Sequence, residues 1–233
     1  AAVGAVLLRN RPEEMGLSMA GACAGESCAM EKDGELRWAR VYRNPLVWAL
    51  GSVYACFGFS YIIYMTFFVK HLVADAGWTT PAAGIMFMGV GWASIPCGLV
   101  WGSLSDRIGR RIAIAAVFLI QSLAYGLFCL AQTAGLLVVS SLLFGITAWS
   151  IPAIMAAACG DVLGPRMAPA GVGFITLLFG IGQAAGPLVA GAIADSTGSF
   201  VPAFFLASGI ALLGAFGILW VGRVARRGGH VLS

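Results

Sequence analysis

The chain has 233 residues, of which 60% are hydrophobic and only 10% are charged, and its formal net charge is +4. A soluble domain carries about 25% charged residues to cover its surface, so this composition excludes a water-soluble globular protein and predicts an integral membrane protein. The positive charge does not indicate a nucleic-acid partner, because the basic residues lie at the ends of apolar runs, where they act as topology signals.

The first 44 residues precede the long apolar runs. Residues 1–8 are apolar but too short to cross a bilayer, so we expect them to be the end of a truncated preceding helix. Residues 9–44 are polar, with a small and charged middle part that is typical of a flexible linker, and we expect a cytoplasmic loop. Its end, Glu35–Arg43, mixes aromatic residues with arginines and predicts a short helix at the level of the lipid headgroups.

Six apolar segments follow, each long enough to cross the hydrocarbon layer, which needs about 20 residues. They predict an all-α, polytopic membrane protein with a six-helix transmembrane bundle over residues 45–222 and a cytoplasmic tail over residues 223–233. The predicted spans are 45–69, 81–104, 112–131, 134–157, 168–194 and 199–222.

Basic residues are distributed unequally between the two sides of this arrangement. Those of the linker, of the joints after the second and fourth spans, and of the tail all fall on one side, and only Lys70 falls on the other. The side rich in Lys and Arg is cytoplasmic by the positive-inside rule. We therefore predict a multi-pass protein of the inner (plasma) membrane with both ends of the chain in the cytoplasm.

The joint between the second and third spans carries a dense motif, which consists of Gly102, Asp106, Arg107, Gly109, Arg110 and Arg111. A glycine at the start allows close approach of another helix. The carboxylate of Asp106 can accept hydrogen bonds from the N-terminus of a neighbouring helix, and the arginines can hold that carboxylate or bind anionic headgroups. A basic turn that serves only topology is the alternative.

The spacing of this motif, Gly-x-x-x-Asp-Arg-x-Gly-Arg-Arg, resembles the signature found between helices 2 and 3, and again 8 and 9, of the major facilitator superfamily. Arg11–Gly16 resembles the start of that superfamily's central loop, and Gly182–Gly198 resembles its eleventh helix and outer turn. Tyr54–Phe68 looks like the seventh helix of the bacterial YbfB/YjiJ-like branch. The resemblance implies the carboxy-terminal half of a twelve-helix transporter, whose partner is a missing amino-terminal six-helix half.

The function implied by this resemblance is secondary active transport of a small organic solute by alternating access, with the motif residues acting in gating. It implies neither catalysis nor a cofactor, and no metal site is expected. A non-transporting membrane sensor or scaffold is the alternative, because a fold does not fix a function. No Asp, Glu, Lys, Arg or His lies deep inside a span, so if a proton is the coupling ion, the group that carries it belongs to the missing half.

In this superfamily the solute cavity lies at the bilayer midplane between the two halves. On the first span, Tyr54, Phe57, Tyr61, Tyr64 and Phe68 recur at intervals of three and four and share one helix face. Their tyrosine hydroxyls predict hydrogen bonds to a solute, with an aromatic packing seam as the alternative.

The remaining cavity candidates are Trp92, Thr147, Trp149, Thr176 and Gln183. A buried amide must find partners, so Gln183 either bonds a solute or bridges two helices. We also expect Gln121 on the third span to bridge helices, and Asp161 and Arg166 to help lock the cytoplasmic side.

Overall fold

The computed structural model describes residues 38–131 and 133–227, and all regular secondary structure in these ranges is α-helical. The predicted truncated helix at residues 1–8, the linker up to residue 37 and the last six residues of the tail lie outside the described residues. The short helix expected near the end of the linker is observed as α1, Trp38–Tyr42.

Eight further helices follow in the described part of the chain. They are α2 (Pro45–Ala74), α3 (Thr80–Ser94), α4 (Cys97–Ile108), α5 (Arg110–Leu130), α6 (Ala134–Gly145), α7 (Ser150–Leu163), α8 (Ala168–Thr197) and α9 (Val201–Arg227). Five stretches are long and apolar enough to cross a membrane, namely α2, α5, α6 with α7, α8 and α9. The pair α3–α4, bent by 41°, makes a sixth if it counts as one span. The chain is therefore an all-α, polytopic membrane protein, as predicted.

Local sequence explains where several helices begin and end. The side chain of Asn44 accepts a hydrogen bond from the N–H of Leu46 over 2.9 Å, and Pro45 occupies the first turn of α2, an arrangement that favours a helix start. Between α4 and α5 the chain turns at Gly109, whose φ of 91° is disfavoured for residues with a side chain. This glycine separates the second span from the third without a longer loop.

Proline interrupts two of the spans. A proline has no N–H and cannot donate to the carbonyl four residues earlier. At Pro96 the carbonyl of Trp92 instead accepts from Ile95 over 3.3 Å, and the chain bends between α3 and α4. Pro152 likewise has no N–H for the carbonyl of Ala148, and residues 146–149 form turns between α6 and α7. We call residues 146–149 the span-four break.

Helix α2 lies at the centre of the bundle and packs against α8 and α9. Its contact with α8 is close because glycines face the opposing backbone. A Cβ atom on Gly186 would lie 2.7 Å from the carbonyl oxygen of Phe59, and one on Gly182 would lie 3.0 Å from the backbone nitrogen of the same residue. Small residues of this kind allow membrane helices to approach without a hydrophobic driving force.

Candidate functional site

The polar motif at the joint of α4 and α5 forms a compact group with the end of α7. Arg110 forms an ion pair with Asp106, its Nη1 donates to the Ser105 hydroxyl over 2.7 Å, and its Nε donates to Asp161 Oδ2 over 3.4 Å. The Arg110 side chain is 19% exposed, against 60% for Asp106 and 35% for Asp161. We call these four residues the Arg110 cluster. Its guanidinium connects the joint between the second and third spans to the end of the fourth.

The shape of this group follows from local geometry. The first residue of α5 is Arg110, and the turn at Gly109 places it beside the last turn of α4. The guanidinium has donors on several nitrogens in a fixed plane, so it can serve two carboxylates and a hydroxyl at once. A polar cleft of about 360 Å³ lies over the cluster and is lined by residues 105–110 and Asp161.

The other residues of the motif take different positions. Arg107 is exposed and forms no ion pair within the described ranges. The side chain of Arg111 lies where a Cβ atom on Gly222 of α9 would be placed. Apart from the neighbouring backbone of its own helix, no described atom lies within 4 Å of a Cβ position on Gly102, so no other described helix makes the close approach that was expected at this glycine. Asp106 is held by Arg110 rather than by the N-terminus of a described helix.

A second group of candidate residues meets where α2, α8 and the span-four break come together. The amide Nε2 of Gln183 donates to the hydroxyl oxygen of Tyr61 over 2.8 Å. The Tyr61 ring lies 5.9 Å from the ring of Trp149 in an edge-to-face arrangement. Phe179 lies 6.0 Å from Tyr61, nearly parallel to it. We call these four residues the Tyr61 cluster.

The aromatic contacts of this cluster continue along α2. Phe179 stacks on Tyr54 with ring centroids 4.5 Å apart, and it lies 5.8 Å from Phe57. Tyr54 and Tyr61 are each only 6% exposed, whereas Trp149 is 47% exposed and Phe179 is half-buried. The open edge of the group is therefore formed by Trp149, Phe179 and Gln183.

The chemistry of this edge is neutral. Among the described residues, no charged side chain forms a hydrogen bond with Tyr61, Trp149 or Gln183. The phenol and the amide can each donate and accept hydrogen bonds, and the flat rings offer polarisable faces. Such an edge suits a molecule with an apolar or planar body and at least one polar group.

Phe179 was not among the sequence candidates. It lies four residues before Gln183 and therefore on the same face of α8, which is the signal that could have identified it. Gln183 does bridge two helices, as one of its two predicted roles required. Gln121 is confirmed as a bridge between the third and fourth spans, because its Nε2 donates to the carbonyl of Thr147 over 3.2 Å.

Some of the predicted cavity residues do not join the Tyr61 cluster. Tyr64 is fully buried, and its hydroxyl bonds the Ser140 hydroxyl over 2.9 Å inside the bundle. Thr147, in the span-four break, is also fully buried and donates to the carbonyls of Leu143 and Phe144 in α6. Trp92 is 68% exposed on α3 and makes no aromatic contact with another described ring.

The aromatic stripe of α2 thus divides at Tyr61. The residues up to Tyr61 face α8 and the open edge, whereas Tyr64 and Phe68 pack against aromatic rings of α5, among them Phe128 at 4.8 and 4.9 Å. A helix face that is continuous in sequence meets different neighbours at different heights. For Tyr64 and Phe68, the alternative prediction of an aromatic packing seam is the one that agrees with the structure.

Comparison with known proteins adds two similarities. A family model described as "Uncharacterised MFS-type transporter YbfB" matches residues 23–219, which include both clusters. The chain is also similar to monocarboxylate transporter 10 of Rattus norvegicus, with 28% identity over 165 residues. This match covers 69% of the chain but 31% of the rat protein, so the chain spans about a third of that relative's length.

Proposed function

The chain belongs to the YbfB family of MFS-type transporters, and from this premise we propose that it is the carboxy-terminal half of a secondary transporter that moves a small organic solute by alternating access. Membrane transport is the activity of its family. The observation that carries the proposal is the Arg110 cluster, which connects the joint of the second and third spans to the end of the fourth. An amino-terminal half of six further helices would complete the solute cavity, in keeping with the 31% of the rat relative that the chain covers.

In this proposal the Arg110 cluster is the cytoplasmic gate. Alternating access requires one side of the protein to close while the other opens. Exposed ion pairs contribute only about 0.2–1 kcal/mol each, which suits contacts that must break in every cycle. We infer that the cluster stabilises the outward-open state, in which the cytoplasmic side is closed.

The Tyr61 cluster, with Tyr54, is the proposed contribution of this half to the solute site. It offers aromatic faces and neutral hydrogen-bonding groups, so any charge on the solute would be balanced by the other half or by a coupling ion such as a proton. Monocarboxylates are the first solutes to test, because the rat relative is named for them. A carboxylate could accept hydrogen bonds from the Tyr61 hydroxyl and the Gln183 amide.

Removing the Tyr61 hydroxyl should weaken solute binding. For the full-length protein in proteoliposomes, we expect saturable uptake of at least one radiolabelled monocarboxylate from a panel of aliphatic and aromatic acids. Tyr61→Phe should raise KM about 2- to 10-fold, since a hydrogen bond contributes about 0.5–1.5 kcal/mol. Initial uptake rates over a range of solute concentrations measure this change.

Tyr64→Phe is the matched control, because the hydroxyl of Tyr64 bonds Ser140 inside the bundle. It should leave KM unchanged. An equal rise in KM for both variants would contradict the assignment of the Tyr61 cluster to the solute site. Absence of both flux and a solute-dependent thermal shift across the panel would favour the sensor or scaffold function.

The proposed topology places the turn around Ile108 in the cytoplasm. In a background with its cysteines replaced by serine, Ile108→Cys should react with a membrane-impermeant maleimide, because this side chain is 39% exposed. The reaction should occur in inverted vesicles but not in intact cells, because the turn faces the cytoplasm. Ser196→Cys, at an exposed position near the other end of the bundle, should give the opposite pattern. Labelling of Ile108→Cys in intact cells would reverse the orientation and the gate assignment together.

A further inference from the structure

The span-four break is held in place by side chains of the second span. The indole Nε1 of Trp101 donates to the carbonyl of Ile146 over 2.8 Å. One turn earlier on α4, the Cys97 sulfur accepts a hydrogen bond from the backbone N–H of Trp149 over 3.3 Å. Backbone groups freed at a helix break in a membrane must find partners inside the protein, and α4 supplies two of them.

The same face of α4 also reaches the Arg110 cluster. Cys97, Trp101 and Ser105 are spaced four residues apart, and they are the buried residues of α4, with exposures of 2%, 9% and 1%. Residues four apart lie above one another on a helix. Ser105 accepts a hydrogen bond from Arg110 over 2.7 Å. One buried stripe on one short helix therefore contacts the break at one end and the gate arginine at the other.

Helix α7 makes a second connection between the same two places. It begins at Ser150, directly after Trp149, and it carries Asp161, whose carboxylate accepts from Arg110. Helices α4 and α7 also pack against each other. The two helices are bounded by interruptions of their spans, at Pro96 and at the break. Because α4 and α7 contact each other and are each linked to Arg110 and to the break, the two helices can move together.

From this arrangement we propose that Trp101 is a positioning residue that couples the Arg110 cluster to Trp149. Its hydrogen bond to Ile146 fixes the break so that the Trp149 ring faces Tyr61. When the ion pairs of Arg110 separate, α4 moves. The hydrogen bond between Trp101 and Ile146 then moves the span-four break, and Trp149 takes a second position. This inference rests on the proposed roles of the two clusters. It explains how opening of the gate changes the solute site one helix length away.

The coupling is testable by fluorine NMR without any solute. The full-length protein would be labelled with 5-fluorotryptophan and placed in lipid nanodiscs, and the Trp149 resonance would be assigned with Trp149→Phe. We expect Asp161→Asn, which removes one ion pair of Arg110, to shift that resonance. In a Trp101→Phe background, which keeps an aromatic ring but lacks the N–H, most of this shift should be lost, because the carbonyl of Ile146 then has no indole donor on α4.

The resonances of Trp48 on α2 and Trp220 on α9 serve as internal controls and should not respond to Asp161→Asn. If Trp101→Phe lowers the yield of folded protein, Cys97→Ala tests the same stripe by deleting its other contact, and it should also reduce the response of Trp149. An equal response of Trp149 with and without the Trp101 N–H, or no response in the parent protein, would overturn the proposal. A Trp149 response that depends on Trp101 in a protein without flux would instead leave the coupling intact and reject transport.

Discussion

Replacing Arg110 with glutamine is expected to lower the initial rate of transport at least about tenfold, a factor within the range associated with a change of 1–2 kcal/mol in a two-state equilibrium. One substitution removes the partner of two carboxylates, Asp106 and Asp161, and leaves like charges near one another. The cytoplasmic side would then no longer be held closed, so the outward-open state would lose population. Initial rates of solute uptake in proteoliposomes, normalised to the amount of reconstituted protein, measure this effect.

The same substitution should have little effect on insertion or folding. Exposed ion pairs contribute about 0.2–1 kcal/mol each, and Asp106 is 60% exposed. Arg223→Gln is the matched control, because it removes the same charge at an exposed position near the end of α9, and it should transport at the parental rate. Arg110→Lys should be intermediate, since a lysine keeps the charge but lacks the planar fork. A parental rate for Arg110→Gln at equal abundance would contradict the gate.

The all-α polytopic fold and the approximate positions of the apolar helices could be predicted from the sequence because they depend on length and hydropathy alone. The ends of the spans were less accurate. The first predicted span stops at residue 69, whereas α2 continues to Ala74. Polar residues near a membrane surface, such as Lys70, do not end a helix. Here the helix ends where Asp75 and Gly77 allow the chain to turn.

The motif predicted that its arginines can hold the Asp106 carboxylate, and Arg110 does so, but the contact of Arg110 with Asp161 could not be predicted from it. Its spacing singles out several arginines equally, whereas the turn at Gly109 and the length of α7 decide that Arg110 meets both Asp106 and Asp161. These are tertiary features. The role of Trp101 is invisible in the sequence for the same reason, because its partner is a backbone carbonyl freed by a break in another span.

The aromatic stripe of α2 shows a related limit. Periodicity correctly places Tyr54, Tyr61 and Tyr64 near one another on a helix face. It cannot predict which neighbouring helix packs against each of these positions along α2. Glycines at the α2–α8 contact bring Gln183 to Tyr61, whereas Tyr64 meets the aromatic rings of α5 and α6.

Replacing Gly182 with valine is expected to destabilise the bundle strongly. A Cβ atom there would collide with the carbonyl oxygen of Ala55 and lie 3.0 Å from the backbone nitrogen of Phe59. Both are backbone atoms of α2, so the clash is relieved only if α2 and α8 separate. Overpacking of this kind costs about 1–3 kcal/mol or more, and we expect the melting temperature to fall by about 5–10 °C. Thermal denaturation followed by size-exclusion chromatography would measure this fall.

The loss should come from packing rather than from helix propensity, because valine has a higher helix propensity than glycine. Gly191→Val tests this distinction on the same helix, since no described atom outside the neighbouring backbone of α8 lies within 4 Å of its Cβ position, and it should keep the parental melting temperature. Because Gln183 directly follows Gly182, separation of α2 and α8 would also break its bond to Tyr61. If Gly182→Val were as stable as Gly191→Val, the close contact of α2 with α8 would be wrong, and the proposed solute site would lose the contact that assembles it.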